Sequence, residues 1–178
     1  MSVEKVLTTV DVGSANISVR YVDQDGKRTN ERRQPNQGIS IRVSTDVDGN
    51  EQQVLRFDCL DREPHYHYGP ENGNERVLID KVTAGNPVGW SLEQLRDRLP
   101  AMVRRAGYDV VADSLEGDVQ ADDYPEKLAE IESAARDAAT GWRRTVTHNG
   151  SKELAEIPGA EVVEAGNIRF GLEFRELP

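Results

Sequence analysis

The chain has 178 residues, of which 37% are hydrophobic and 30% are charged, a composition typical of a folded domain and not of a disordered chain. Its one cysteine excludes an internal disulfide, and no apolar run approaches the roughly 20 residues that span a bilayer. Because the N-terminus also has no signal-peptide pattern, we expect a cytoplasmic protein without membrane insertion. Composition does not indicate an oligomeric state.

The first 80 residues are predicted to be mostly strands. Val6, Thr8, Val10 and Val12 alternate with other residues, as do Ile17, Val19 and Tyr21, with a glycine and a serine between the two runs, which predicts a hairpin. A second hairpin is predicted from 39–43 to 54–59, because an Asp-Gly-Asn turn separates these two alternating runs. Pro64 then begins a short strand, since proline is tolerated at the first position of a strand. That strand covers 65–68, and 76–80 is predicted to return beside it.

Helices are predicted over 91–139. Ser91 and Gln94 have the spacing of a capping box, which places the start of the first helix at Ser91. Pro100 lies inside the pattern and should kink this helix or begin another, and Gly107 is placed to end it. A second helix is predicted to begin between Asp122 and Pro125 and to stop at Gly141.

The C-terminal segment 160–178 is predicted to be a closing strand, because Ile168, Phe170, Leu172 and Phe174 alternate with other residues. Together these elements predict an α+β fold in one domain, 1–178. Its antiparallel sheet would have five to seven strands and would pack on two or three helices.

Acidic residues are concentrated in the predicted helices. The segment 109–139 contains ten acidic and two basic residues, so it contributes −8 to the formal net charge of −10. A field of this sign repels phosphate backbones, so nucleic acid is not the expected partner and a basic protein is. Seven arginines are candidates for local basic patches: Arg28, Arg32, Arg33, Arg96, Arg98, Arg104 and Arg105. We interpret them as solvated or paired with acidic residues.

The segment 54–68 gathers chemically capable side chains, including the cysteine and two of the three histidines. In an extended strand His65 and His67 project from one face, where two imidazoles can reach the same metal ion. With Glu71 they have the histidine, histidine, glutamate spacing that resembles the first metal motif of cupins. No organic cofactor is expected, and a divalent metal ion held by His65, His67 and Glu71 is one hypothesis.

A metal-free site is the other hypothesis for these side chains. His65 or His67 can exchange protons near neutral pH when a carboxylate such as Asp58 positions it, and Arg56 can stabilise a phosphate-like anion. The same residues are also typical of an ordinary polar strand edge. Cys59 is interpreted as a small core residue.

The stretch from Arg56 to Gly107, which runs RFDCLDREPHYHY and then WSLEQLRDRLPAMVRRAG, resembles an uncharacterised prokaryotic domain family with the same strand and leucine-bearing helix. That family carries no established activity. More distantly, the stretch resembles TumE-like toxins of nucleotidyltransferase toxin-antitoxin pairs. This second resemblance implies that Arg56, Asp58, His65 and His67 are site residues.

Two functions are compatible with these patterns. The first is a small accessory or interaction protein, or a minor subunit of a larger complex, without catalysis of its own and with an acidic surface for a protein partner. The alternative is a hydrolase or ribonuclease-like enzyme that uses the His65 and His67 strand edge, with or without a metal ion. Alanine at both histidines should spare partner binding in the first case and abolish turnover in the second.

Overall fold

The computed structural model describes residues 3–24, 36–140, 143–148, 151–156, 163–165 and 168–170. Residues 1–135 form one compact unit and residues 136–178 form a second. The large sheet and almost all of the helical residues belong to the first unit.

Six strands form one antiparallel sheet in which each strand pairs with the next along the chain. The strands are β1 (Val3–Asp11), β2 (Asn16–Gln24), β3 (Asn36–Val47), β4 (Asn50–Leu60), β5 (His65–Tyr68) and β6 (Glu75–Leu78). Both predicted hairpins are therefore present, and so is the short pair after Pro64. Alternation identified these strands because one face of the sheet is apolar and buried.

Four helices follow the sheet within residues 81–140, namely α1 (Lys81–Ala84), α2 (Pro87–Arg105), α3 (Asp109–Asp118) and α4 (Tyr124–Thr140). With the six-stranded sheet they confirm the predicted α+β class. The turn that ends α2 includes Gly107 at a φ of +91°, a left-handed conformation that glycine adopts without a Cβ penalty. The predicted helix end is thus placed correctly.

The predicted start of α2 is wrong. The helix begins at Pro87, and the Asn86 side chain accepts a hydrogen bond from the Val88 amide at 3.0 Å. Proline suits this position because its fixed φ is helical and its missing N–H would have no partner there. Ser91 lies one turn inside the helix, where its hydroxyl donates to the Pro87 carbonyl at 2.8 Å. The Ser91 and Gln94 spacing is therefore not a capping box.

Pro100 does not divide the helix, which runs without interruption from Pro87 to Arg105. A proline in a helix interior costs about 3 kcal/mol because a hydrogen bond is lost and the ring meets the preceding turn. Leu95, Leu99 and Val103 are completely buried along the same helix, and burial of each side chain contributes about 1.5–3 kcal/mol. Packing therefore outweighs the local cost.

The helices pack on the apolar face of the sheet. The Phe57 ring meets Trp90 of α2 edge to face at 6.3 Å, and the Cys59 sulfur lies 3.3 Å from the Ser91 hydroxyl. The Tyr124 hydroxyl of α4 donates to the Leu95 carbonyl of α2 at 2.8 Å, which fixes these two helices together. On β4, Arg56 and Asp58 alternate with Phe57 and Cys59 and so project from the opposite face of the sheet, which carries the candidate site.

The described residues of the second unit include two short antiparallel pairs, β7 (Arg143–His148) with β8 (Ser151–Glu156) and β9 (Val163–Ala165) with β10 (Ile168–Phe170). The predicted closing strand over 160–178 lies mostly outside the described residues, as do the predicted stop at Gly141 and the arginines 28, 32 and 33. The single-domain prediction stays a prediction, because the structure describes this unit only in part. Among the described helices, none has the length and apolar character needed to cross a membrane.

Candidate histidine and aspartate site

Strand pairing brings the predicted site residues together on one face of the sheet. Arg56 of β4 lies opposite His67 of β5, and Asp58 lies opposite His65. On the other side of β4, Ser40 of β3 lies opposite Asp58. Residues directly opposite each other in an antiparallel pair project to the same face, with Cβ atoms about 4.5–5.5 Å apart. We call Arg56, Asp58, His65 and His67 the histidine–aspartate site.

The two imidazoles converge on one carboxylate oxygen. The Nε2 atoms of His65 and His67 lie 3.3 and 3.7 Å from Oδ2 of Asp58, and the ring centroids are 5.0 Å apart. Asp58 is 6% exposed, His65 8% and His67 5%. A carboxylate and two imidazoles are therefore held in contact where little water reaches them.

The predicted position of the histidines at a strand edge is wrong. In the sheet order β5 lies between β4 and β6, and Arg76 and Leu78 of β6 pair with His67 and His65. The four-residue strand β6 covers the edge that β5 would otherwise present. The histidines thus belong to a buried polar cluster and not to a solvated rim.

Two acceptors fix the orientation of the imidazole rings. His65 Nδ1 lies 2.6 Å from the Glu63 carbonyl oxygen, and His67 Nδ1 lies 2.7 Å from the side-chain oxygen of Asn74. Because both partners are acceptors, each Nδ1 carries a hydrogen and donates it. Both Nε2 atoms are left facing Asp58, so the chemistry of the site depends on them.

Arg56 connects the carboxylate to the second imidazole. One terminal nitrogen of its guanidinium lies 3.0 Å from His67 Nε2; since the guanidinium is always a donor, this Nε2 accepts and the ring is neutral. The Arg56 Nε lies 3.0 Å from Asp58 Oδ2, but its hydrogen is not aligned with that oxygen, so the contact is an ion pair.

The surroundings assign different charge states to the carboxylate and to His67. Burial alone would raise the pKa of Asp58, but the His65 hydrogen bond, the Arg56 charge and the Ser40 hydrogen bond together lower it. Burial and the Arg56 charge lower the pKa of His67, although its hydrogen bond with Asn74 opposes them. At neutral pH Asp58 is ionised and His67 is neutral.

A divalent metal ion has a suitable donor set in Asp58, His65 and His67, whose ligand atoms all lie within 4.8 Å of one another. Ligands at about 2.0–2.1 Å from a tetrahedral zinc ion lie roughly 3.3 Å apart, and Nδ1–H groups held by acceptors are typical of metal-bound histidines. Glu71 instead accepts a hydrogen bond from the Gln53 amide at 3.2 Å. Arg56 opposes a dication there, and metal binding stays a prediction.

Cys59 lies on the opposite face of β4 and is buried. Burial raises the pKa of its thiol to about 12, against the hydrogen bond with Ser91, which lowers it. The thiolate that a nucleophile or metal ligand requires is therefore scarce at neutral pH. Its interpretation as a core residue agrees with its position.

The acidic residues of 109–138 lie mainly on exposed positions of α3 and α4. Part of their charge is compensated within the fold, because Arg104 contacts both Asp113 and Glu116. Lys127 likewise pairs with Asp123 at 2.8 Å.

Three arginines of the predicted basic patch on α2 form ion pairs, and Arg104 is the one that pairs with the acidic segment. Arg105 pairs with Glu75 and Arg96 with Asp97.

Two residues that support the histidine–aspartate site were not found from the sequence, namely Ser40 and Asn74. Ser40 is fully buried and its hydroxyl donates to Asp58 Oδ1 at 2.8 Å. A serine between two isoleucines in an alternating strand was the available signal. Asn74 has a φ of +48°, which asparagine tolerates better than most residues, and only the loop geometry brings it to His67.

Comparison with known proteins gives one family match. A family model described as Domain of unknown function (DUF7700) matches residues 9–135, which include the whole histidine–aspartate site. No curated protein and no solved structure matches the chain. The family match confirms the resemblance to an uncharacterised domain family, and the more distant resemblance to TumE-like toxins stays a prediction.

Proposed function

The chain belongs to the DUF7700 family, and we propose that the domain which defines this family hydrolyses a phosphate ester by acid–base catalysis at the histidine–aspartate site. The observation that carries this proposal is the convergence of two imidazoles on Asp58, with Arg56 beside them. Paired titratable groups whose environments separate their charge states are typical of acid–base sites. The Nδ1 contacts with the Glu63 carbonyl and the Asn74 side chain hold the rings in place.

Each side chain has a role that follows from its contacts. His67 is the general base, because its neutral Nε2 carries a lone pair. His65 donates through Nδ1 to a carbonyl, and a proton on its Nε2 would be shared with Asp58, so this ring is the general acid. Arg56 binds the phosphoryl oxygens through its planar fork of donors.

The proposed reaction begins when a phosphate group draws the Arg56 guanidinium away from His67. The freed Nε2 of His67 takes a proton from the attacking water as the new P–O bond forms. His65 gives its proton to the leaving oxygen as the old P–O bond breaks. Asp58 stabilises the imidazolium that results at His67, since its oxygen is 3.7 Å from that Nε2.

Hydrolysis of bis-(p-nitrophenyl) phosphate tests this proposal. The wild-type protein should release p-nitrophenolate in the presence of EDTA, and His67→Gln should lower kcat/KM by at least about 100-fold, which is the usual contribution of a general base. The measurement is initial rate against substrate concentration, with circular dichroism spectra to show that the variant is folded.

Tyr66→Phe is the matched control, because Tyr66 lies between the two histidines but stacks on Phe57 on the opposite face. This variant should keep the wild-type rate. Turnover that appears only after a divalent metal ion is added would show that hydrolysis at this site depends on metal, and would contradict the metal-free mechanism. Turnover that survives His67→Gln would contradict the proposed base.

A second candidate function is an accessory or interaction protein for a basic partner in the cytoplasm. It is favoured by the exposed acidic residues of α3, α4 and the connection between them, which outnumber the basic residues of the same segment. Asp109, Asp122 and Glu126 are exposed members of this surface. Such a surface attracts a positively charged partner through a field that salt screens.

Affinity purification from native cells tests this second function. A partner bound through the acidic helices should stay bound when His65 and His67 are both replaced by alanine, and should be released by about 0.5 M salt, where screening acts over a few ångströms. A variant with Asp122→Lys and Glu126→Lys should lose it. A partner that stays bound to this reversed surface would contradict the proposal.

A further inference from the structure

Three arginines lie on neighbouring strands beside the histidine–aspartate site. Arg42 of β3 is directly opposite Arg56 of β4, and Arg20 of β2 is opposite Ser40 of β3. Ser40 and Arg42 are two residues apart in one strand, so all of these side chains share one face. The three guanidiniums therefore lie on one face of the sheet, in two adjacent rows of side chains that cross β2, β3 and β4.

Glu4 of β1 holds two of these arginines. Its Oε1 atom accepts from a terminal nitrogen of Arg20 at 2.7 Å and from one of Arg42 at 2.9 Å. Burial would raise the pKa of Glu4, but its contacts with these arginines lower it overall, so the carboxylate is ionised. One carboxylate oxygen thus lies between two guanidiniums, as an oxygen of a bound anion would.

A buried serine joins this arrangement to the candidate catalytic residues. The Ser40 oxygen lies 3.4 Å from Nε of Arg42 and 2.8 Å from Oδ1 of Asp58. A ligand oxygen held by Arg42 would therefore be one side chain away from the carboxylate on which both imidazoles converge. The contacts are continuous from Glu4 to His65.

The local charge favours an added anion. Glu4 compensates one of the two arginines that it contacts, and Asp58 compensates Arg56, which leaves an excess of one positive charge on this group of side chains. Arg42 and Arg56 face each other directly, and like charges in that position are destabilising. The Arg20, Arg42 and Arg56 side chains are 30%, 15% and 26% exposed, so solvent reaches all three.

We infer that Arg20, Arg42 and Arg56 form a cradle for a phosphate group, and that the Glu4 carboxylate occupies this cradle until a phosphorylated ligand displaces it. The inference rests on the proposed function, because it names a phosphate-bearing substrate for the neighbouring histidine–aspartate site. Once Glu4 is displaced, the three arginines and Asp58 together carry two net positive charges, which a phosphate dianion neutralises, and guanidiniums bind its oxygens in pairs.

Glu4 regulates access to the cradle in this arrangement. A ligand must exchange two charge-assisted contacts of Glu4 for its own, so the carboxylate lowers the apparent affinity for weak anions. Removal of its charge should open the cradle without removing any donor. Removal of Arg42 should instead take away the donor that lies between the other two arginines.

Isothermal titration calorimetry with inorganic phosphate and with pyrophosphate tests the cradle in the full-length chain. Glu4→Gln should bind either anion at least about fivefold more tightly than the wild type. Arg42→Gln should bind at least about tenfold more weakly, and Arg42→Lys should fall between, because it keeps the charge and loses the fork. Glu75→Gln and Arg96→Gln are matched controls, since each belongs to an exposed ion pair on another part of the fold.

The same titrations in the His67→Gln background separate the cradle from the proposed function. Phosphate binding that depends on Arg42 in a protein without turnover supports the cradle, even where the hydrolysis assay fails. Equal affinity in wild type, Glu4→Gln and Arg42→Gln overturns it, and so does absence of binding in all three. Hydrolysis that is independent of Arg42 would overturn the cradle and leave the histidine mechanism standing.

Discussion

Replacement of Asp58 by alanine is expected to lower the free energy of unfolding by about 3–5 kcal/mol, the usual cost of removing one partner from a buried ion pair. The side chain is 9% exposed and contacts Arg56, His65 and Ser40. Its loss leaves a guanidinium without its counter-charge, and an imidazole and a hydroxyl without their acceptor, in a site that little water reaches. Urea unfolding followed by circular dichroism measures the change.

Asp58→Asn and Asp122→Ala make this result interpretable. The amide keeps an acceptor for Ser40 but loses the charge that balances Arg56, so this variant should fall between wild type and Asp58→Ala. Asp122 is exposed on the connection before α4, and its replacement should change stability by less than about 0.5 kcal/mol. A loss below about 1 kcal/mol in Asp58→Ala would show that the cluster is open to water.

The dependence of stability on acid pH is a second test of the Asp58→Ala variant. The pKa of Asp58 is lowered in the folded protein from its ordinary value of 3.8, so the folded state binds this proton less readily than the unfolded chain. Its contribution to stability is present above about pH 3.8 and is lost as the pH falls through the lower folded pKa. The difference in free energy of unfolding between wild type and Asp58→Ala should therefore become smaller as the pH is lowered through this range.

Strand β4 shows how much of the site the sequence could specify. Alternation over 54–59 separates Arg56 and Asp58 from Phe57 and Cys59, because successive side chains project to opposite faces. The same rule places His65 and His67 on one face of β5. Local periodicity thus predicted which side chains share a face, whereas the pairing of β4 with β5 came from the structure.

The remaining members of the site depend on contacts between distant parts of the chain. Ser40 reaches Asp58 only through the register of β3 with β4, which one residue of slip would invert. Asn74 reaches His67 through a loop dihedral. The histidines have the composition of an exposed edge, and pairing with β6, a strand of four residues, is what buries them.

Replacement of Phe57 by alanine is the second large effect that we expect, also a loss of about 3–5 kcal/mol. Phe57 is completely buried, and its ring stacks on Tyr66 at 6.0 Å and meets Trp90 edge to face. Truncation removes this contact between the sheet and α2 and leaves a cavity that the surrounding aromatic rings fill only in part. Urea unfolding at pH 7 measures the loss.

Two control variants define what this loss means. Phe57→Leu keeps most of the apolar volume and should cost about 1.5 kcal/mol or less, and Val82→Ala, at a position that is 94% exposed, should cost less than about 0.5 kcal/mol. Phe57→Ala should keep the wild-type dependence of stability on acid pH, because Asp58 still has its partners on the other face. If the free energy of unfolding of Phe57→Ala depended less on acid pH than that of the wild type, the two faces of β4 would not be independent. If Phe57→Ala and Asp58→Ala lose equal free energy of unfolding but only Asp58→Ala changes its dependence on pH, then β4 has one apolar face and one ionic face.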